Sequence, residues 1–343
     1  MALAARNPNW VVRQDWLDRR REEILDPQLP IVDPHHHLWD RDETGRYLLP
    51  ELLADLNSGH NITQTVFLQC GSMHRADGPP ELRPVGEVEF VNGVAAMSAS
   101  GGYGSTRICA GIVGFADLAL GAPVERVLEA EIAAGGGRFR GIRYINASHP
   151  EAGALGMLSR PAGLLGDAKL REGFARLQPL GLSFDAWMYH PQLGELVDLA
   201  RAFPETQIVL NHVGGAIGIG PYAGRRDEVF AQWRGHIEAL GRCPNVYVKL
   251  GGLGMHLFGF DVQDKELPPT SQELAALWRP YVETCIAAFG PTRSMFESNF
   301  PVDKTSCSYA ALWNAFKRIA VGASADDKAA LFAGTASRFY RLG

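Results

Sequence analysis

The chain has 343 residues, of which 46% are hydrophobic, and its formal net charge is −5. Its length and apolar content fit one large domain, because single-domain α/β barrels with insertions fall in this size range. The acidic balance argues against a nucleic-acid partner, which would need a broad positive surface. The sequence has no apolar run near the ~20 residues that cross a bilayer and no signal-peptide segment, which argues against a membrane partner and predicts a cytoplasmic protein.

Cysteine usage agrees with this location. The five cysteines are widely scattered and include no Cys-x-x-Cys pair. This pattern argues against both a disulfide framework and a zinc site made of thiolates, and it predicts reduced cysteines that serve mainly in packing.

The predicted elements alternate along the chain. Residues 1–28 are predicted to form an N-terminal helical extension, and 29–343 a single domain. Runs with the composition of buried strands recur eight times, at 29–35, 64–70, 108–115, 140–145, 182–189, 207–212, 246–251 and 294–300. Helical spacing is found at 123–134, 192–203, 225–240, 271–289 and 304–320, and a closing helix is predicted at 324–341, beginning at Ser324 or Asp326.

Strands that alternate with helices predict parallel pairing with right-handed crossovers. Eight such units, with no Gly-x-Gly-x-x-Gly turn after an early strand, favour a closed (β/α)8 TIM barrel over an open doubly wound sheet. Two stretches rich in Gly and Pro, 146–167 and 251–270, each follow a strand. They are therefore predicted to lie on the catalytic face as lids or specificity loops.

The first strand ends in three histidines. Because alternate residues of a strand share a face, Asp33, His35 and His37 are predicted to point together, and His36 away from them. Two inward imidazoles at the C-terminal end of a barrel strand would form half of a metal site or part of a polar substrate pocket.

Two later strands also end in polar residues. His212 follows the sixth strand and precedes two glycines, a setting that suits a ligand or a base at the barrel mouth. Glu297 and Asn299 lie in the eighth strand, within a run that should be buried. Buried polar groups need partners, so these two residues are candidates for a functional role.

Six motifs at six strand ends together resemble the amidohydrolase-2 branch of the amidohydrolase superfamily, over about residues 29–342. They are Asp-Pro-His-His-His-Leu-Trp at 33–39, Gly-Ile-Arg at 141–143, His-Pro-Gln-Leu at 190–193, Asn-His-Val-Gly at 211–214, Val-Lys-Leu at 248–250 and Ser-Asn-Phe-Pro-Val at 298–302. This branch includes lactonases similar to 2-pyrone-4,6-dicarboxylate lactonase and to the sugar-acid lactonases. The resemblance implies hydrolysis of a cyclic ester, with or without a divalent metal such as zinc.

Asn299 departs from the family pattern, in which an Asp at this position is metal ligand and general base. An amide cannot accept the proton and is a weaker ligand for a dication. Asp303, just beyond Pro301, is the favoured substitute for the base. In this hypothesis His35, His37 and His212 bind the metal or polarise the lactone carbonyl directly.

The substrate-binding candidates are Arg143, Lys249, His190 and Glu297. Arg143 and Lys249 are cations on buried strands, so each is expected to have a carboxylate partner, either from the protein or from the substrate. Glu297 lies deeper than Asn299 and could instead pair with Lys249 or support the residues around it. His190 follows the fifth strand, at the barrel rim.

Two other reaction classes stay open. The same barrel could act as a metal-dependent decarboxylase or hydratase, or it could bind a small carboxylate without turnover, having lost its acid at Asn299. Each of these alternatives has a small molecule as its partner. The sequence leaves open whether the chain forms a homo-oligomer.

Overall fold

The computed structural model describes residues 11–343, and ten strands lie in that part of the chain. In chain order they are β1 (Pro30–His36), β2 (Trp39–Arg41), β3 (Gly45–Tyr47), β4 (Asn61–Leu68), β5 (Arg107–Gly114), β6 (Phe139–Ile145), β7 (Ser183–Trp187), β8 (Ile208–Leu210), β9 (Val246–Leu250) and β10 (Ser294–Phe296).

Eight of these strands form one parallel sheet in the order β1, β4, β5, β6, β7, β8, β9, β10. The first and last strands meet beyond the end of β10, where the backbone N–H of Asn299 donates to His35 O (2.9 Å) and that of His37 to Phe300 O (2.8 Å). The predicted TIM barrel is confirmed. β10 is shorter than predicted because residues 297–300 leave the regular ladder, and β2 and β3 form a separate antiparallel pair.

Helices surround the barrel. They are α1 (Gln14–Leu17), α2 (Leu49–Leu56), α3 (Val85–Ala99), α4 (Glu125–Ala134), α5 (Ala168–Phe174), α6 (Leu193–Ala202), α7 (Arg226–Gly241), α8 (Ser271–Phe289), α9 (Tyr309–Ile319), α10 (Ala325–Ala329) and α11 (Thr335–Phe339). A π-helical turn, Ala330–Gly334, joins the last two helices. The predicted start of the closing helix at Ser324 is confirmed, since its side chain accepts a hydrogen bond from the backbone of Asp327.

The closing helix also seals the N-terminal end of the barrel. Phe339 and Tyr340 pack with inward residues of five strands, including Val32, Val209 and Met295. The barrel interior is therefore filled from below by the C-terminus. The active site of such a barrel is expected at the opposite end, where the carboxyl ends of the parallel strands converge.

The described part of the N-terminal segment contains one short helix, α1, and residues 1–10 of the predicted extension lie outside the described residues. Trp16 Nε1 donates to the backbone oxygens of Lys265 and Glu266, in one of the two predicted lid loops. The segment thus packs against the catalytic face. None of the helices within residues 11–343 has the length and apolar character needed to cross a membrane.

Candidate active site

An irregularity in β1 decides which histidines face the interior. The pairing of β1 with β4 shifts register between Asp33 and His36. Val32 lies inside the barrel, so strict alternation would point Pro34 and His36 inward. The shift instead brings His35 inward, whereas His36 faces outward and its Nε2 contacts Thr65 Oγ1 at 2.8 Å.

The predicted shared face of His35 and His37 is confirmed, because their rings lie side by side with centroids 4.9 Å apart. The prediction that Asp33 shares this face is wrong. Its Oδ2 accepts a hydrogen bond from the hydroxyl of Tyr309 on the outer helix α9 (2.9 Å), and its Oδ1 one from Ser298 N (3.0 Å). Asp33 therefore ties β1 to the end of β10 from outside the barrel.

Glu297 joins the histidines of two distant strands. Its Oε1 accepts hydrogen bonds from the backbone N (3.0 Å) and Nδ1 (2.7 Å) of His212, and its Oε2 lies 2.6 Å from His35 Nδ1. All three side chains are almost fully buried. Burial raises the pKa of Glu297 to about 8, against the opposing effect of Lys249. The predicted link between Glu297 and Lys249 is thus electrostatic, and the direct partners of this carboxylate are imidazoles.

His35, His212 and Glu297 form a group that could hold a metal ion, with ligand atoms all within 4.8 Å of one another. Within residues 11–343 it is the one such group of three or more. Glu297 Oε2 is buried, and its 2.6 Å contact with His35 Nδ1 does not have the geometry of a hydrogen bond. Two imidazole nitrogens and an unsatisfied carboxylate oxygen suit a zinc-like dication, so the residues fit a metal.

His37 lies beside this group rather than in it. Its Nδ1 is 2.8 Å from Leu68 O, which can only accept, so Nδ1 carries the proton and Nε2 of the neutral ring is left as an acceptor. The ring stacks on Trp39 with centroids 5.7 Å apart. His37 lines the central cavity. Its predicted role as a metal ligand stays a prediction, and its free nitrogen suits a base equally well.

The carboxylate that pairs with Lys249 belongs to the protein itself. Its Nζ lies 2.8 Å from Asp185 Oδ1 and donates to Pro34 O at 2.9 Å, and both charged side chains have 0% exposure. Asp185 also accepts from Asn211 Nδ2 (3.0 Å) and from the Tyr340 hydroxyl (2.8 Å). The sequence left open whether Lys249 pairs with an acid of the protein or of the substrate. Its partner is Asp185 of the protein.

Arg143 differs from Lys249. One terminal nitrogen donates to Gln69 O, the other is 3.4 Å from His35 Nε2, and Nε has no partner. Within the described chain, no carboxylate forms an ion pair with this nearly buried guanidinium, which lines the cavity. An unpaired cation at the base of a cavity is suited to receive a substrate anion or a carbonyl oxygen.

Asn299 and Asp303 act as a pair. Asn299 has a positive φ of 55° and lines the cavity. Its Nδ2 donates to Asp303 Oδ1 at 2.8 Å, and Gly254 N donates to Asp303 Oδ2 at 2.9 Å. Burial raises the pKa of Asp303 to about 8. The favoured base therefore lies behind Asn299, and its predicted role stays a prediction.

His190 lies apart from these residues. It is fully buried, its Nδ1 accepts from Ile217 N at 3.2 Å, and its ring packs on Tyr222 at 5.1 Å. It is not among the residues that line the cavity. Its predicted role in substrate binding stays a prediction that no contact supports.

The cavity above the cluster has a volume of about 600 Å³. Both predicted lid loops line it, through residues such as Arg160 and Met255. Sequence reasoning missed Arg41 and Arg160, because Arg41 ends a strand of only three residues and Arg160 lies in a loop. Trp39, at the end of the three-histidine motif, was the one sequence signal that pointed to this part of the cavity wall.

A parallel barrel with paired imidazoles, a buried carboxylate and an unpaired arginine at its C-terminal mouth defines a barrel enzyme of the amidohydrolase type. The chain belongs to the amidohydrolase family, whose model, described as "Amidohydrolase", matches residues 32–342. It is an enzyme of the amidohydrolase superfamily.

Three similar proteins cover nearly the whole chain. An uncharacterised protein of Sinorhizobium fredii is 36% identical, over 92% of this chain and 99% of its own length. The L-fucono-1,5-lactonase of Burkholderia multivorans is 27% identical, over 91% and 96%. A crystal structure of an amidohydrolase from Burkholderia multivorans with bound zinc has a TM-score of 0.68 at 25% identity, over 91% and 99%.

Proposed function

We propose that the protein is a lactonase, a hydrolase that opens a cyclic ester of a small molecule by attack of water at the mouth of the barrel. The observation that carries this proposal is the buried group of His35, His212 and Glu297 beneath a cavity of about 600 Å³. The similarity to an L-fucono-1,5-lactonase supports the reaction class. The unpaired cysteines support the predicted reducing, cytoplasmic location.

Polar residues that line the cavity and others buried beneath it would have separate roles. Arg143 would bind the carbonyl oxygen or an anionic group of the lactone, since it lines the cavity and no carboxylate pairs with it within the described residues. Glu297 holds His35 and His212 in fixed orientations through contacts of 2.6 and 2.7 Å. Rigid positioning of this kind is what a hydrolytic site requires.

The proposal includes a divalent metal, zinc in the first instance, held by His35, His212 and Glu297. When bound, it would polarise the lactone carbonyl and favour hydroxide over water. The zinc in the similar Burkholderia multivorans amidohydrolase supports this choice.

Two groups can take the proton of the attacking water. Asp303 would need direct contact with that water, because the amide of Asn299, which donates to Asp303 and separates it from the cavity, cannot relay a proton. His37 lines the cavity directly and has a free acceptor nitrogen. Asp303→Asn and His37→Gln separate the two, because loss of a general base lowers kcat by about 100-fold or more.

The test is acid release by the purified protein with a panel of sugar lactones, muconolactones and pyrone carboxylates, with and without zinc or manganese. Acid release on one class of lactone is expected. Carbon dioxide release without ring opening would instead indicate a lyase, and tight binding of carboxylates with no turnover would indicate a binding protein.

Zinc stoichiometry after dialysis tests the metal independently of activity. About one ion per chain is expected for the native protein, and none for His35→Asn or His212→Asn. His236→Asn, on the outer helix α7, is the matched control and should retain zinc. Zinc retention by both site variants would contradict the assignment of the ligands.

A further inference from the structure

The walls of the central cavity carry an excess of positive charge. Arg41, Arg143 and Arg160 line it, together with His74. The lining acid is Asp117, whose Oδ1 already accepts hydrogen bonds from the Tyr144 hydroxyl (2.9 Å) and from a backbone N–H (3.0 Å). The cavity therefore offers three guanidinium groups to a ligand and one engaged carboxylate.

These arginines have not been neutralised by the protein. Within residues 11–343, none of the three forms an ion pair with a carboxylate. Arg41 donates to Cys70 O and lies over the ring of Trp39 at 4.5 Å, which fixes its guanidinium at the cavity wall. Arg143 is held similarly by Gln69 O. Planar guanidinium groups held in place bind carboxylates with paired hydrogen bonds.

A second, smaller cavity of about 80 Å³ adjoins the first. The two share five lining residues, which are Trp39, Leu158, Trp187, Met255 and Val302. The remaining wall of the small cavity is mostly apolar and includes Leu155, Met157 and Leu257, contributed by the two lid loops. A ligand in the large cavity can therefore extend a group into the small one.

The small cavity offers few polar partners. The Tyr189 hydroxyl donates to Leu158 O (2.8 Å), Thr305 Oγ1 to Val302 O (2.9 Å), and His256 Nδ1 contacts Gln263 (3.3 Å). Thr44 also lines this cavity, and its buried Oγ1 has no hydrogen-bond partner within the described residues. A hydroxylated group placed there could replace one of its bonds to water at Thr44 but not the others. The volume is also below the ~150 Å³ of an apolar cavity that holds benzene, so a short alkyl chain fits better than a ring.

We propose that the ligand of this site is an anion with a short alkyl substituent, whose carboxylate binds the arginines and whose alkyl group fills the cavity lined by Met157 and Leu257. Under the lactonase function proposed above, on which this inference rests, the substrate is a carboxylated alkyl lactone. A polyhydroxylated sugar lactone would bring no carboxylate to the arginines and would place hydroxyl groups in a mostly apolar cavity.

Binding of stable analogues tests this without turnover. The probes are tetrahydrofuran-2-carboxylate and its 5-methyl, 5-propyl and 5-hydroxymethyl derivatives, measured by calorimetry. Affinity should rise about fourfold for each methylene buried. The 5-hydroxymethyl compound should bind no better than the parent acid, and the neutral 2-carboxamide should bind about tenfold more weakly. Equal affinity across the series would overturn the proposal.

Variants assign the two halves. Arg160→Gln should weaken the acids about tenfold and leave the carboxamide unchanged, whereas Arg126→Gln on the outer helix α4 should change neither. Met157→Gln should abolish the advantage of propyl over hydrogen. Met97→Gln, at a methionine with 41% exposure on α3, is its control. If neither Arg160→Gln nor Met157→Gln changes the affinities of the analogues, the proposal is contradicted.

Turnover separates this inference from the proposed function. Hydrolysis of alkyl lactone carboxylates in preference to sugar lactones supports both. Preference for sugar lactones would overturn the inference and leave the lactonase function intact. If the analogues bind in the expected order but no lactone is opened, the ligand class stands and the lactonase function fails.

Discussion

Replacing Lys249 with methionine removes one charge of a buried ion pair and keeps most of the side-chain volume. The Asp185 carboxylate, with 0% exposure, then has no counter-ion at 2.8 Å. Breaking a buried pair in this way costs roughly 3–5 kcal/mol. Asp185 keeps two donors, the amide of Asn211 and the hydroxyl of Tyr340, so we expect a loss near the lower end, about 3 kcal/mol.

The measurement is urea unfolding followed by circular dichroism at neutral pH. A loss of about 3 kcal/mol is a large part of the ~5–15 kcal/mol that stabilises a typical domain. Lys249→Met combined with Asp185→Asn should recover at least half of it, because the uncompensated charge is gone. Lys265→Met, in the exposed pair with Glu273, is the control and should cost less than about 1 kcal/mol.

Two results would refute this reasoning. One is a double variant no more stable than Lys249→Met alone, which would mean that the charge of Asp185 is not the source of the loss. The other is a Lys249→Met variant with native stability and a raised KM, which would indicate that Lys249 binds the substrate.

The other predictions concern Arg143, Glu273 and Tyr340. Arg143→Gln should lower kcat/KM on the lactone found above by about 10- to 100-fold with unchanged urea stability, because its guanidinium faces the cavity unpaired; a loss of stability instead of activity would contradict this. The Thr270 backbone and Lys265 hold the pKa of Glu273 at about 2, against an ordinary 4.5. The folding stability that ionised Glu273 contributes is therefore complete above pH 4.5 and is lost as the pH falls toward 2. Because solvent screens this half-exposed side chain, Glu273→Gln should cost less than about 1 kcal/mol at pH 7 and still less at pH 3.5 in urea unfolding, and a constant difference would count against the cap at α8. Tyr340→Phe should cost about 1 kcal/mol or more by the same method, since Asp185 loses a donor; a change within error would show that this bond contributes nothing.

The barrel could be predicted because its strands are apolar runs between turns, a pattern that the core itself requires. The direction of His35 and His37 was also predicted, but through simple alternation, and the same alternation placed Asp33 wrongly. A shift of register depends on how two strands pair over several residues. The local signal of the shift was Pro34, which lacks a backbone N–H and lies inside β1.

The partners of charged groups were harder to predict than the groups themselves. Lys249 and Asp185 are 64 positions apart in the sequence, and only the closed barrel brings them within 2.8 Å. Arg41 ends a three-residue strand that is too short to show a period, and Arg160 lies in a loop. Their convergence on the cavity is a property of the assembled loops.

The position of Asp303 explains why this chain has Asn299 where the family has Asp. The amide Nδ2 of Asn299 lies 2.8 Å from Asp303 Oδ1, so Asn299→Asp would set two carboxylates at hydrogen-bond distance in a site with 1% exposure. Burial already raises the pKa of Asp303 to about 8, and a second carboxylate beside it would raise it further, so the two groups cannot both ionise at neutral pH.

Reversion to the family residue should therefore lower activity and stability rather than improve them, whereas Asn299→Asp with Asp303→Asn restores one acid and one amide. Urea unfolding and lactone turnover of both variants check this expectation. Because the exchange keeps the hydrogen bond and moves only the charge, recovery in the double variant would show that the site needs one carboxylate in this pair. A single Asn299→Asp variant as stable and active as the native protein would contradict this expectation, because it would show that the site tolerates a second carboxylate in this pair.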